Sequence, residues 1–156
     1  MNYKNIVTDL KKQIEYNYFI KEEIECGIIL LPWEVRSIRT NGCSIINSYA
    51  SFKKEECWLN GMIINFYDFL KEKDRNKKIL MHKKEIKKYQ NILKTNKMSA
   101  VPSMVYWKNN LIKIQLCFVK GKKKFDKRES EKMKNWKILK SDFQNKSLDF
   151  NFKNLQ

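Results

Sequence analysis

Glycine and proline are scarce in this chain, with four and two among 156 residues. The glycines are scattered and Gly121 stands alone, which excludes a glycine-rich phosphate loop. Histidine occurs once, as His82, and none of Cys26, Cys43, Cys57 and Cys117 belongs to a CxxC pair. A zinc site needs clustered ligands, so neither a metal nor a cofactor is expected. Cys26, Cys57 and Cys117 fall in strand patterns and read as reduced, half-buried small residues, as in a cytoplasmic protein. No apolar run approaches ~18 residues, and Met1 to Thr8 is polar, so neither a membrane span nor a signal peptide is expected.

Acidic residues are also few: 17 Asp and Glu against 33 Lys and Arg, a formal charge of +16. The imbalance is local. Residues 1–70 hold eight basic and nine acidic groups, residues 71–140 twenty-three and six, and the last sixteen residues two of each. An excess confined to one half is the footprint of a phosphate-backbone binder. No helix pairs a basic face with a large apolar one, so a membrane surface is not the expected partner. The steepest charge lies in 120–140, with ten basic residues against three acids. Such a run stays on the surface, either as a solubilising tail or as a polyanion contact.

No enzyme chemistry emerges. His82 has no Ser or Cys beside it and reads as a structural histidine at a helix start. Glu22, Glu23 and Glu25 form one acidic cluster; Asp126, Glu129 and Glu131 form another. Either set is a formal candidate for acid–base work or magnesium. Asp126 and Glu129, three apart, read instead as a capping pair for a helix starting at Lys127.

The chain divides into an N-terminal segment (1–15), a barrel (16–120) and a basic C-terminal tail (121–156). Met1 to Gln13 is polar and partly helical. A strand is expected over Tyr16–Leu31, with Gly27 at a bulge or bend. Pro32 opens a short helix through Thr40. Ser44–Phe52 and Glu56–Phe66 pair across a turn at Lys53-Lys54-Glu55. Asp68–Lys78 is a charged loop. Leu80–Lys94 is a helix with Ile86, Tyr89 or Gln90, and Leu93 inside and Lys83, Lys84, Lys87 and Lys88 outside. Ser103–Lys108 and Leu111–Val119 form a hairpin about Asn109-Asn110. The fold class is mainly β with flanking helices: a small antiparallel barrel of the oligonucleotide-binding (OB) type, with a tail disordered when free.

Several stretches, in this order, carry a family resemblance: YFIKEEIECGIILLPWEVRSIR, SYA, KILMHKKEIKK, VYWKNNLIKIQL and VKGKKKFDKRE. Together they resemble SmpB, the SsrA-binding protein family, over roughly residues 11–137. The resemblance implies an OB-type barrel that is not an enzyme. Its partners would be the tRNA-like domain of tmRNA and the ribosome, at the small-subunit decoding centre and mRNA channel. Elongation factor Tu would join through the tmRNA complex. The work implied is trans-translation, the rescue of stalled ribosomes with tagging of their peptides.

By the same resemblance the tmRNA face comprises Lys12, Glu25 and Leu80, with Lys78, Lys83 and Lys84 on phosphates. Leu80 by itself reads equally well as a core residue. The ribosomal part is Gly121, Lys122, Lys123, Lys124, Asp126, Lys127 and Arg128, followed by a tail carrying Trp136. Met133, Trp136 and Leu139 recur at helical spacing, so an RNA-lined channel could order the tail as a helix to about residue 140. Glu15 and Tyr16 stand where the family usually has Arg and His. Ser141–Gln156 is neutral where relatives often end basic. Phe143, Phe150 and Phe152 there suit base stacking or an extension without a role. Two other classes remain open: a generic rRNA- or tRNA-binding OB protein, and an RNA-processing enzyme using Glu25 or Asp126.

Overall fold

The computed structural model describes residues 6–65, 75–133, 135–136 and 139–140. One unit runs through Gly121 and a second begins at Lys122. The first unit carries, in order, β1 (Ile6–Asp9), α1 (Lys11–Asn17), β2 (Tyr18–Ile28), α2 (Pro32–Asn41), β3 (Cys43–Ser44), β4 (Tyr49–Lys53), β5 (Glu56–Asn60), β6 (Ile63–Ile64), β7 (Lys77–Leu80), α3 (Lys83–Asn96), β8 (Ser99–Lys108) and β9 (Leu111–Gly121). Strand order β8-β4-β5-β7-β2-β9 returns to β8 through the β8–β9 pairing, so six antiparallel strands close a barrel. β1 adds to the edge of β8, and β3 and β6 form a separate pair.

Alternation along the strands sets inside from outside. Cys26, Ile114 and Val105 share a rung and are all buried in the barrel core. The next rung, Gly27, Lys113 and Tyr106, lies on the opposite face of the strands, where Tyr106 is buried. α3 brings Ile86 and Tyr89 into the fold, and the Tyr89 ring stacks on Phe118 at 4.0 Å between centroids. Because Phe118 belongs to the barrel core, α3 lies over that end of the barrel. α1 packs outside, with Ile14 against Cys117 and Val119.

Several elements depart from the pattern expected of the sequence. The N-terminal segment contributes strand β1, and α1 continues through Tyr16 to Asn17, so β2 begins only at Tyr18. The strands expected over 44–52 and 56–66 are each broken, into β3 and β4 and into β5 and β6. Their turn is the two residues Lys54-Glu55, both at positive φ, as is Asn109-Asn110. Lys77 and Lys78 belong to β7, not to a loop, whose described part begins only at Arg75. Lys77 is 1% exposed because it shares the inward face of the strand with Ile79; its ammonium donates to the Met62 carbonyl at 2.9 Å. Leu80 ends that strand, and the helix starts only at Lys83. β8 extends back through Pro102 because a register shift there accommodates a residue without an N–H.

In β2 the register shift falls between Ile20 and Glu22, not at Gly27. Gly27 answers to a different demand. A Cβ there would stand 3.3 Å from the Leu80 side chain, which lies across it.

Three helices begin the same way. The Leu31 amide donates to Glu34 at 2.7 Å, the His82 amide to Glu85 at 3.0 Å and the Lys123 amide to Asp126 at 2.8 Å. In each, an acid at the third helical position satisfies the cap amide and sits on the positive end of the helix dipole. The last helix therefore starts at residue 124, not at Lys127, and residues 124–133, 135–136 and 139–140 are helical. The expectations for 66–74 and for 141–156 lie outside the described residues.

Phe118→Ala should lower stability by about 3–5 kcal/mol, because it empties the core and removes the ring beneath Tyr89. Urea unfolding measures it, and a loss under ~1 kcal/mol would contradict α3 as the cover of that barrel end.

Candidate nucleic-acid interface

The outer wall of the barrel collects the expected contact residues from separate parts of the chain. Gly27 pairs with Leu80 on one side and with Lys113 on the other. Glu25, two residues earlier, shares that outward face, as does Lys78, two residues before Leu80. Glu25, Lys78, Leu80 and Lys113 thus line one continuous surface across β7, β2 and β9. Leu80 is 52% exposed, so its reading as a core residue is set aside. A leucine in that position offers apolar area rather than packing.

The remaining residues expected at this face lie on its borders. Lys12 is exposed on α1, and that helix is tied to the wall by Lys11 Nζ to Glu23 at 3.3 Å. Lys83 and Lys84 are exposed in the first turn of α3, just past Leu80 and over the barrel end. In the second unit, Phe125, Trp136 and Leu139 are exposed, as are Lys123, Lys124 and Arg128.

The wall is held by ion pairs. Glu25 accepts from Lys108 Nζ at 2.9 Å and from Tyr106 Oη at 2.5 Å. These two donors, Lys108 first, hold the Glu25 carboxyl below the usual glutamate range. Glu22 is lowered by the Tyr89 hydroxyl and then by Lys88; Tyr89 itself is raised by burial and by that same hydrogen bond. Lys78 pairs with Glu56, which is lowered in turn. Glu34, 1% exposed, is held by Arg75 and by the Leu31 amide.

Glu25 is therefore engaged, not a vacant acceptor for a base or ribose donor. An incoming donor must share or displace Lys108. Burial pushes the Cys26 and Cys57 thiols up to about 12, so neither is a thiolate near neutrality. Among the described residues, no group of three or more His, Cys, Asp or Glu could hold a metal ion. Nor is any described helix long and apolar enough to cross a membrane.

Sequence reasoning passed over Lys113, Lys108 and Tyr106. The signal for Lys113 was present in the alternation of Leu111–Leu116, which puts Lys113 and Gln115 opposite the inward Ile112 and Ile114. What the sequence did not give was which strand lay beside which.

Residues 9–146 match the family model described as SmpB protein. Similar relatives include the SsrA-binding protein of Malacoplasma penetrans, 40% identical over 129 residues (79% of this chain, 87% of that protein). That of Ureaplasma parvum is 41% identical over 128 residues (80% and 91%). That of Borreliella burgdorferi is 38% identical over 141 residues (88% and 93%). A solved structure described as "tmRNA-SmpB: a journey to the center of the bacterial ribosome" aligns with TM-score 0.55 at 26% identity, covering 73% of this chain and 87% of that one.

The depressed Glu22 and Glu25 carboxyls mean that the folded state favours their ionised forms. Their contribution is complete above the unfolded-state value and is lost as pH falls through the lower folded values. A Glu22→Gln/Glu25→Gln variant should therefore lose less stability than the parent between about pH 7 and pH 3 in urea titrations. Equal losses would show that the two pairs add nothing, as many exposed pairs do.

Proposed function

Because the chain belongs to the SmpB family, we propose that it binds the tRNA-like domain of tmRNA and brings it to stalled ribosomes for trans-translation. The observation that supports this best is the gathering of Glu25, Lys78, Leu80 and Lys113 on one outward wall of an OB-type barrel. Such a wall suits RNA physically. Lysines on its surface and borders hold phosphates, while Leu80 gives an apolar contact that double-helical backbone alone would not reward. The family is one of RNA-binding proteins, and the role read here is likewise binding, in the cytoplasm. Lys12, Lys78, Lys83 and Lys84 serve as the phosphate contacts, and Glu25, held by the buried Tyr106 hydroxyl, positions Lys108 beside the RNA.

Residues 121–140 form the ribosomal part. Lys122, Lys123, Lys124, Lys127 and Arg128 meet the decoding centre, with Asp126 fixing the helix start. The helix carrying Trp136 follows the mRNA channel. Message already in that channel would exclude the helix by volume and by competition for the same phosphates, so tail entry senses an empty channel. Elongation factor Tu joins through the RNA of the complex.

Competition between the tRNA-like domain and bulk tRNA, at fixed near-physiological salt, tests the first part. Preference for the tRNA-like domain is expected; equal binding would leave a generic RNA-binding barrel. Each phosphate lysine removed should lower the salt slope by about one. Truncation after Gly121 should keep tRNA-like domain binding and abolish tagging of stalled peptides. Unchanged tagging would refute the role of the tail.

A further inference from the structure

Resting on that reading, we propose that the cleft between β2 and the β8–β9 hairpin receives one unstacked nucleobase of the bound RNA. The cleft arises from the topology. Pairing of β2 with β9 stops at Gly27 and Lys113, while the hairpin continues to Lys108 and Leu111. β2 goes on beside β7, with Ile28 opposite Ile79. The strands part, and a wedge of about 310 Å³ opens, lined by Gly27, Leu80, Trp107, Asn110, Leu111 and Lys113 among others. Past Lys113, the edge of β9 toward β2 has no strand partner among the described residues. Its backbone N–H and C=O groups are those a base edge uses.

The lining fits a base better than an apolar peptide. It contains no acidic residue, and Lys113 stands at its edge. Trp107 offers a wide ring, and the Arg39 guanidinium stands over it, 5.0 Å from the ring centroid. That contact fixes the indole before any ligand arrives. Leu80 and Leu111, 52% and 61% exposed, extend the apolar surface outward on both sides. Glycine at position 27 matters here too, since a Cβ would press on Leu80 and narrow the wedge. A base entering between these leucines would place its phosphate toward Lys113.

Stacking and phosphate contacts respond differently to salt, and this separates the proposal from general electrostatic binding. With the full chain and the tRNA-like RNA, Leu111→Ala and Trp107→Ala should each weaken binding about five- to hundredfold. The slope of log K against log salt should stay at the parent value. Lys113→Ala should instead lower that slope by about one. 2-Aminopurine placed in turn at the unpaired positions of the RNA should reveal one site whose fluorescence changes on binding to the parent and not to Trp107→Ala. Leu111 is exposed, so its variant reports even if Trp107→Ala does not fold.

Parent-like affinity of Leu111→Ala, or loss accompanied by a reduced salt slope, would overturn the base receptor. If the parent fails to prefer the tRNA-like domain over bulk tRNA, the functional reading falls instead. The variant comparison then remains decisive on whichever RNA binds.

Discussion

Closure of the barrel at β2 is the constraint on which the rest depends. β2 pairs with β9 over ten residues of its length and then meets β7 at Gly27 and Ile28. That short second pairing closes the ring, brings Leu80 over Gly27 and ends the β2–β9 ladder in the same place. A residue with a Cβ at 27 would need Leu80 to give way by a few tenths of an ångström. The core fixes which residues face out, since Cys26 and Ile28 cannot turn inward unless Glu25 and Gly27 turn outward. The candidate interface is a consequence of packing, not an addition to it.

Electrostatics then follow from topology. The charge asymmetry of the chain suggests an acid-balanced first half beside a cationic second half. In the fold the two interleave: Glu22, Glu25, Glu34, Glu55 and Glu56 each pair with a cation from beyond residue 70. These contacts are mostly exposed and individually weak. Their effect is on distribution. They spend part of the cationic excess on the barrel's own carboxylates and leave Lys12, Lys83, Lys84 and Lys113 outside those pairs. Pairing also organises Lys78 and Lys108 along the wall rather than leaving their long side chains free.

Legibility of the sequence followed the range of the interaction involved. Local signals held: Pro32 at the head of α2, the Asn109-Asn110 turn, and the inner stripe of α3 through Ile86 and Tyr89. Signals that needed a partner element did not. Lys77 looks like loop because a lysine inside a strand is a poor bet until Met62 supplies a carbonyl to meet its ammonium. Gly27 looks like a bulge because nothing local announces that Leu80 will lie across it. The N-terminal strand was obscure for the same reason, as Ile6–Asp9 is too short to be recognised apart from the β8 edge that receives it. For the site, the family resemblance supplied Glu25 and Leu80, but only the strand register joined them to Lys113.

In the second unit, the helix that begins at residue 124 is likewise set by a local interaction. A segment of some fifteen residues is marginal as a helix in water, since nucleation is costly. Here the first turn is already set: Asp126 accepts the Lys123 amide, and the Lys127 amide reaches the Lys123 carbonyl at 3.2 Å. Phe125 and Trp136 are eleven residues apart, about three turns, so they fall on one side with Leu139 close by. All three are exposed, with Phe125 at 74%. Their exposure costs little while the helix is solvated, and a binding groove that takes them gains apolar burial without first having to nucleate the turn. Asp126 is thus better understood as the residue that starts the helix than as an acid beside RNA. Its negative charge amid Lys122, Lys123, Lys124, Lys127 and Arg128 makes sense on that ground, because the amide it satisfies lies at the positive end of the helix.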